Sequence, residues 1–198
     1  MNRPSGNVTG VNALTDEVSG KQLSLLHDLV PKAVTIAVLF DPKLQSRETI
    51  VLRDARDAAA ALRQKLLVLE AGTAEEIEAQ FARLEQEPAD AMLVVTSPFF
   101  LTRAGQIAAL AARHRIPAIY IRREFAEAGG LMSYGFTFAE GYREIGRYAG
   151  RILKGEKPGD LPIIQPIKFE LVINLKAAKA INLEIPPLIR ALADEVIE

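Results

Sequence analysis

Few residues in this chain have the type and spacing for chemistry. Four short segments concentrate what there is: Asp41-Pro42, Glu70-Ala71, Thr96-Ser97-Pro98-Phe99-Phe100 and Arg122-Arg123-Glu124. A carboxylate and a small hydroxyl can anchor an amine or hydroxyl. An exposed aromatic ring makes an apolar wall, and a guanidinium can partner a carboxylate. Asp41 and Ser97 are therefore candidate polar anchors, Phe99 a candidate wall and Arg122 a candidate partner for a ligand acid group. The competing reading is structural, because the same residue types cap helices, make turns and fill cores.

Catalytic constellations are thin. Of the two histidines, His27 falls near the end of an expected helix and His114 in a helix exit. Both read as surface residues rather than bases. No G-x-S-x-G, Walker A, H-E-x-x-H or G-x-G-x-x-G occurs. Glu75, Glu76 and Glu78 suit the first turn of a helix better than a metal site. With no cysteine, disulfides, thiolate metal ligands and thiol nucleophiles are excluded. No enzyme activity, cofactor or metal is expected.

The elements that would position these segments alternate. Apolar runs at residues 34–40, 66–69, 91–95 and 118–121 have the composition of strands buried on both faces. Between them lie helical patterns. Leu52, Ala55, Ala59 and Leu62 form one stripe. Thr73-x-x-Glu76 opens a helix carrying Ile77, Phe81 and Leu84. Thr102 is placed to cap a helix with Ile107, Leu110 and Ala111 inside. Asp16 is placed to cap a first helix carrying Val18, Leu25, Leu26 and Leu29, ended by Pro31. This order predicts an α/β fold, a three-layer α-β-α sandwich on a parallel sheet. The four segments then fall at the carboxyl ends of its strands, where open sheets bind ligands. Beyond 122 the pattern predicts a short polar or helical piece to 128, a strand at 131–134 and a helix at 138–153. That helix carries a stripe of Tyr142, Ile145, Ala149 and Ile152. A strand at 168–173, a helix at 176–180 and an amphipathic tail from Pro186 follow.

The 198 residues carry 24 Lys and Arg against 25 Asp and Glu, a net charge of −1, with 49% hydrophobic residues. That composition is globular and, without a dense basic block, argues against a dedicated nucleic-acid binder. No run approaches a membrane span. Residues 1–10 have no apolar stretch of the kind found in secretory signals.

Longer phrases carry a family likeness. They are Gly6-Asn7-Val8-Thr9-Gly10-Val11, Ile36-Ala37-Val38-Leu39-Phe40-Asp41-Pro42, Pro98-Phe99-Phe100, Ile116-Pro117-Ala118-Ile119-Tyr120, Ala128-Gly129-Gly130-Leu131-Met132-Ser133-Tyr134-Gly135, Gly150-Arg151-Ile152-Leu153-Lys154-Gly155 and Lys168-Phe169-Glu170-Leu171-Val172-Ile173-Asn174. In order along the whole chain, they resemble the ABC transporter substrate-binding proteins of tryptophan/tyrosine type. The resemblance implies a type I periplasmic-binding-protein fold, two α/β lobes joined by three crossings with a small ligand in the cleft between them. It implies a first crossover segment at 1–10, a second lobe at 11–132, a hinge and first-lobe remnant at 133–166, and a return strand with C-terminal helices at 167–198. Tyr134 falls at the second crossing and joins the candidate ligand-binding residues.

The chain departs from the family in two ways. Most of the first lobe has no counterpart ahead of Gly6, so the expectation is a truncated form. The helix at 138–153 would lack the sheet it normally covers, and self-association is expected. Ser97 stands where the family often has Asp, so an aromatic amino acid is not assumed as the ligand. The resemblance implies the solute-binding component of an ABC importer, working in the periplasm or cell envelope with a permease and taking a small polar ligand, an amino acid among the candidates. The alternatives are a small-molecule-sensing domain of a regulator or receptor, separated by what the gene encodes upstream, and an enzyme on a flavodoxin-like sheet, which would need a nucleophile and base that the sequence does not offer.

Overall fold

The computed structural model describes residues 6–11, 18–164 and 168–198, and of 45–50 and 138–140 the backbone alone. The cap expected at Asp16 and the crossing at Pro166 lie outside the described residues. The chain divides into two compact units, residues 15–135 with 170–198, and residues 1–14 with 136–169.

The larger unit follows the alternation in the sequence. Its elements are α1 (Val18–Leu29), β1 (Thr35–Phe40), α2 (Gln45–Ala61), β2 (Lys65–Glu70), α3 (Ala74–Arg83), β3 (Ala91–Val94), α4 (Pro98–Thr102), α5 (Ala104–Arg113), β4 (Ala118–Tyr120), α6 (Arg123–Glu127) and β5 (Met132–Phe136). After the excursion through α7 (Phe138–Leu153) come β6 (Phe169–Asn174), α8 (Leu175–Ala180), α9 (Pro187–Leu192) and β7 (Glu195–Ile197). The sheet order is β2-β1-β3-β4-β5-β6-β7. Strands β1 to β5 pair in parallel, for example Val38 beside Val68 and Leu93, and Ile119 beside Met132. The parallel run stops there. Asn174 at the end of β6 donates its N–H to the carbonyl of Leu131, just before β5, at 2.9 Å. So β6 runs against β5, and β7 runs parallel to β6.

Period-two alternation on both faces builds two cores. Ile36, Val38 and Phe40 of β1 point into one, with Leu93, Ile119, Met132, Leu171 and Ile173, and α1, α2, α8 and α9 cover it. Ala37 and Leu39 point into the other, with Met92, Val94, Ala118 and Tyr120, and α3 to α6 cover it. The helical stripes land as spaced: Leu25, Leu26, Ala55, Ala59, Ile77, Phe81 and Ile107 are all nearly inaccessible. Thr73 caps α3, its hydroxyl accepting from the Glu76 N–H at 3.2 Å. Glu76 returns the bond one residue early, accepting from the Gly72 N–H at 2.6 Å.

Three local expectations are corrected. Thr102 caps nothing; it ends α4 and donates to the Phe99 carbonyl at 2.7 Å, while Ser97 caps α4 and α5 starts without a side-chain cap. The amphipathic tail is only partly helical, because after α9 it forms edge strand β7. His114 is not a solvated residue: its side chain is 13% exposed and its ring lies 5.8 Å from that of Phe81.

The smaller unit is held by long-range bonds. Val11 bridges Ile164 in parallel, and the Thr9 hydroxyl donates to the Leu161 carbonyl at 2.8 Å. Tyr148 of α7 is buried and donates its hydroxyl to Pro162 at 2.7 Å. Most of the stripe of α7 that would lack its sheet is open to solvent. Tyr142 is 66% and Ile145 46% exposed, Ala149 is exposed and Ile152 half-buried.

Candidate functional site

The strand order brings the candidate segments to one rim. β1, β3, β4 and β5 are consecutive neighbours, so Asp41, Ser97 and Arg122 follow the carboxyl ends of adjacent strands, with Tyr134 on the next. The reversal at β6 adds residues that the parallel reading omits. The amino ends of β6 and β7 arrive at this same rim, bringing Glu170 and Glu195 to Arg123.

Asp41 is 3% exposed, and its Oδ1 accepts from the Lys43 N–H at 3.0 Å, opening the short 3-10 turn Pro42–Leu44. Lys43 Nζ reaches the Gly72 carbonyl at 3.3 Å and ties this turn to the one after β2. Ser97 is 1% exposed and accepts from the Phe100 N–H at 3.0 Å, with Pro98 as the first residue of α4. Both therefore serve the backbone of their own turns. Beside Ser97, the Thr96 hydroxyl is buried with no hydrogen-bond partner among the described residues.

The two aromatics fall on opposite faces of the sheet. Phe99 is half-buried against the core under α3 to α6, its ring 5.7 Å from Phe100, with the Arg103 guanidinium 6.0 Å from its centroid. Tyr134 packs on the core under α1 and α2, and its carbonyl accepts from Gln22 Nε2 at 3.0 Å. Burial first, and then the charge of Asp194, push its phenol above the usual range. Structure thus groups Asp41, Ser97 and Arg122 along the rim and sends Phe99 and Tyr134 to different sides of it.

Arg122 is half-buried and forks onto Glu124, its Nε 3.0 Å from Oε2 and its Nη2 on Oε1. The fork, ahead of the opposing desolvation, holds the Glu124 carboxyl below its usual range. Arg123 is the hub of the rim. Its Nε bonds Glu127 at 2.8 Å, its Nη1 both oxygens of Glu170 at 3.0 and 3.2 Å, and its Nη2 Glu195 at 2.9 Å. Bonds to Glu127 and Glu195 raise its already high pKa further.

Sequence reasoning passes over three structural residues near these elements, of which Arg123 lies on the rim and Asn174 at the opposite edge of the sheet. Arg123 is visible in the rim segment, but its partners stand 47 and 72 residues away. Asn174 caps α8 at 3.0 Å through Ala177 and donates to the Ala126 carbonyl at 2.9 Å. Tyr120 is fully buried and stacks on Phe125 at 4.6 Å. Its hydroxyl finds no partner among the described residues, and burial raises its pKa. No group of three His, Asp or Glu side chains that would suit a metal ion occurs among the described residues. Nor is any described helix long and apolar enough to cross a membrane.

A family model described as ABC transporter substrate binding protein matches residues 1–197. The chain belongs to that family. A tyrosine-binding protein of Clostridioides difficile strain R20291 is 24% identical over 185 residues, covering 93% of this chain and 52% of its own length. The chain thus spans about half of that curated relative. A conserved domain protein from Vibrio cholerae has the same fold, with a TM-score of 0.85 at 21% identity over 98% of this chain and 64% of that one. The ABC domain from Streptococcus pneumonia in complex with L-Trp superposes with a TM-score of 0.80 at 23% identity, over 99% of this chain and 67% of that one.

Proposed function

We propose that this chain is the solute-binding, non-catalytic part of an ABC importer, acting in the periplasm or cell envelope. The observation that carries the reading is the family match along residues 1–197, on a sheet whose carboxyl rim gathers polar anchors and a guanidinium. The ligand is a small polar molecule, and an amino acid is the leading class because two of the relatives bind tyrosine and tryptophan. Asp41 and Ser97 act as polar anchors, Phe99 as apolar wall, Arg122 as partner for an acid group, and Tyr134 at a hinge. The rim supplies one wall of an interlobe cleft. Closure buries the ligand, and the closed form docks on a permease. In the form described by this sequence, the chain self-associates through α7.

Titration calorimetry with a panel of amino acids tests the binding role. Arg122→Gln and Phe99→Ala each weaken the best ligand about tenfold, as the loss of a charge-assisted bond or a buried wall requires. Affinities that ignore both substitutions, together with Asp41→Asn and Ser97→Ala, would remove the rim as the ligand site.

A further inference from the structure

Arg122 is the cation among the five proposed ligand residues, and its fork is already filled. Glu124, two residues on, meets Nε at 3.0 Å with one oxygen and Nη2 with the other. That is the planar, two-point geometry that an incoming carboxylate would adopt. The pair sits at the edge of solvent, the Arg122 side chain 18% and the Glu124 side chain 40% exposed, so the carboxylate has room to leave. The bond to Arg122, ahead of the opposing desolvation, also holds the Glu124 carboxyl below its usual range. Its neighbour Arg123 is engaged by Glu127, Glu170 and Glu195 and has no fork to spare for a displaced Glu124.

We propose that Glu124 is an internal stand-in for the acid group of the ligand, and that it sets how strongly the rim prefers an acid to its amide. The proposal rests on the reading of Arg122 as a ligand contact. A ligand carboxylate takes the fork on Arg122 only by displacing Glu124 into water. The exchange replaces one charge-assisted pair by another, so much of the attraction between Arg122 and the ligand is cancelled. Glu124 thereby works as a specificity determinant through Arg122, without needing to touch the ligand itself. An amide gains little from a guanidinium and is indifferent to the exchange.

The test compares L-tryptophan with L-tryptophanamide on the wild-type chain, Glu124→Gln, Glu124→Asp and Arg122→Gln, with far-UV circular dichroism confirming the fold of each. In Glu124→Gln the acid binds about tenfold tighter and the amide stays within about twofold, so the acid-over-amide ratio rises. Glu124→Asp is one methylene short of the fork, and its ratio falls between the two. In Arg122→Gln the ratio falls below that of the wild type. A ratio that is unchanged or lowered in both Glu124 variants overturns the proposal, while a fall in Arg122→Gln leaves the reading of Arg122 standing. A ratio that Arg122→Gln does not move, or no binding of L-tryptophan by any of the four proteins, overturns that reading and the proposal with it.

Discussion

At Asn174 two structural jobs meet in one amide. The side chain is 4% exposed, its oxygen caps α8 and its nitrogen donates to the buried Ala126 carbonyl of α6. Asn174→Ala therefore removes a cap and one of two donors to the Ala126 carbonyl, which keeps the Gly129 N–H at 3.1 Å, and should cost about 1–2 kcal/mol in urea denaturation. Unfolding free energy within experimental error of the wild type would contradict that double role. Gly135 answers to a different constraint. A Cβ there would lie 2.0 Å from the Ile121 carbonyl oxygen, a backbone atom that no rotamer change can move. Gly135→Ala should then cost about 3 kcal/mol or more, at the upper end of overpacking, with the loss read from the urea midpoint. Neither requirement shows in the sequence. The Asn stands in the sequence only as the end of a resembling phrase, and the glycine as the end of a short strand, although its backbone conformation is ordinary. Asp41 and Ser97 were legible as rim residues. That both spend an oxygen on their own turn follows from local geometry, and this is the alternative the residue types left open.

At the scale of elements, the alternation of apolar runs was enough to place β1 to β4 and most of the helices between them, because a strand buried on both faces needs a continuous apolar stretch. The antiparallel return of β6 was not legible, since the same run Leu171, Val172, Ile173 fits a strand in either direction. Missing that reversal hides the charge network, for it is the reversal that carries Glu170 and Glu195 to Arg123. The neighbouring Arg122–Glu124 fork, outside that network, has a pH signature of its own. Its carboxyl is lowered in the folded protein from an ordinary 4.5, mainly by Arg122. The unfolded chain therefore takes up its proton first. The stabilisation is complete above the ordinary carboxylate range and is lost as the pH falls through the lower folded value. Urea midpoints should fall from about pH 5 towards pH 3, and more gently in Glu124→Gln, which lacks this carboxylate. Parallel pH profiles for the two proteins would show that the fork contributes nothing to folding.

Over the whole molecule, the proposed self-association rests on the apolar face that α7 turns to water. Its side chains at 144, 148 and 152 are buried or half-buried, whereas Tyr142, Ile145, Ala149 and Leu153 are exposed, Leu153 at 88%. An apolar helical strip of this length is more than scattered surface hydrophobicity, and such strips mark contact sites. The charges beside it do not interrupt it. Arg147 pairs with Glu144 at 2.5 Å and Arg151 with Glu156 at 2.6 Å, so each of these cations is answered locally. The spacing at 142, 145, 149 and 153 is that of one helix seam, suited to a second copy of the same helix packed across a two-fold axis. A lasting contact would need to bury roughly 1,000 Å² or more in total, which asks for both helices and their flanks. Sedimentation velocity and light scattering should show mass rising with concentration, in the manner of a reversible dimer. Ile145→Glu puts a charge at the centre of the seam without touching a buried side chain, so it should return the chain to a monomer with an unchanged thermal midpoint at low concentration. A wild-type chain that stays monomeric at high concentration, or an Ile145→Glu variant that associates equally well, would show that this face is not how copies meet.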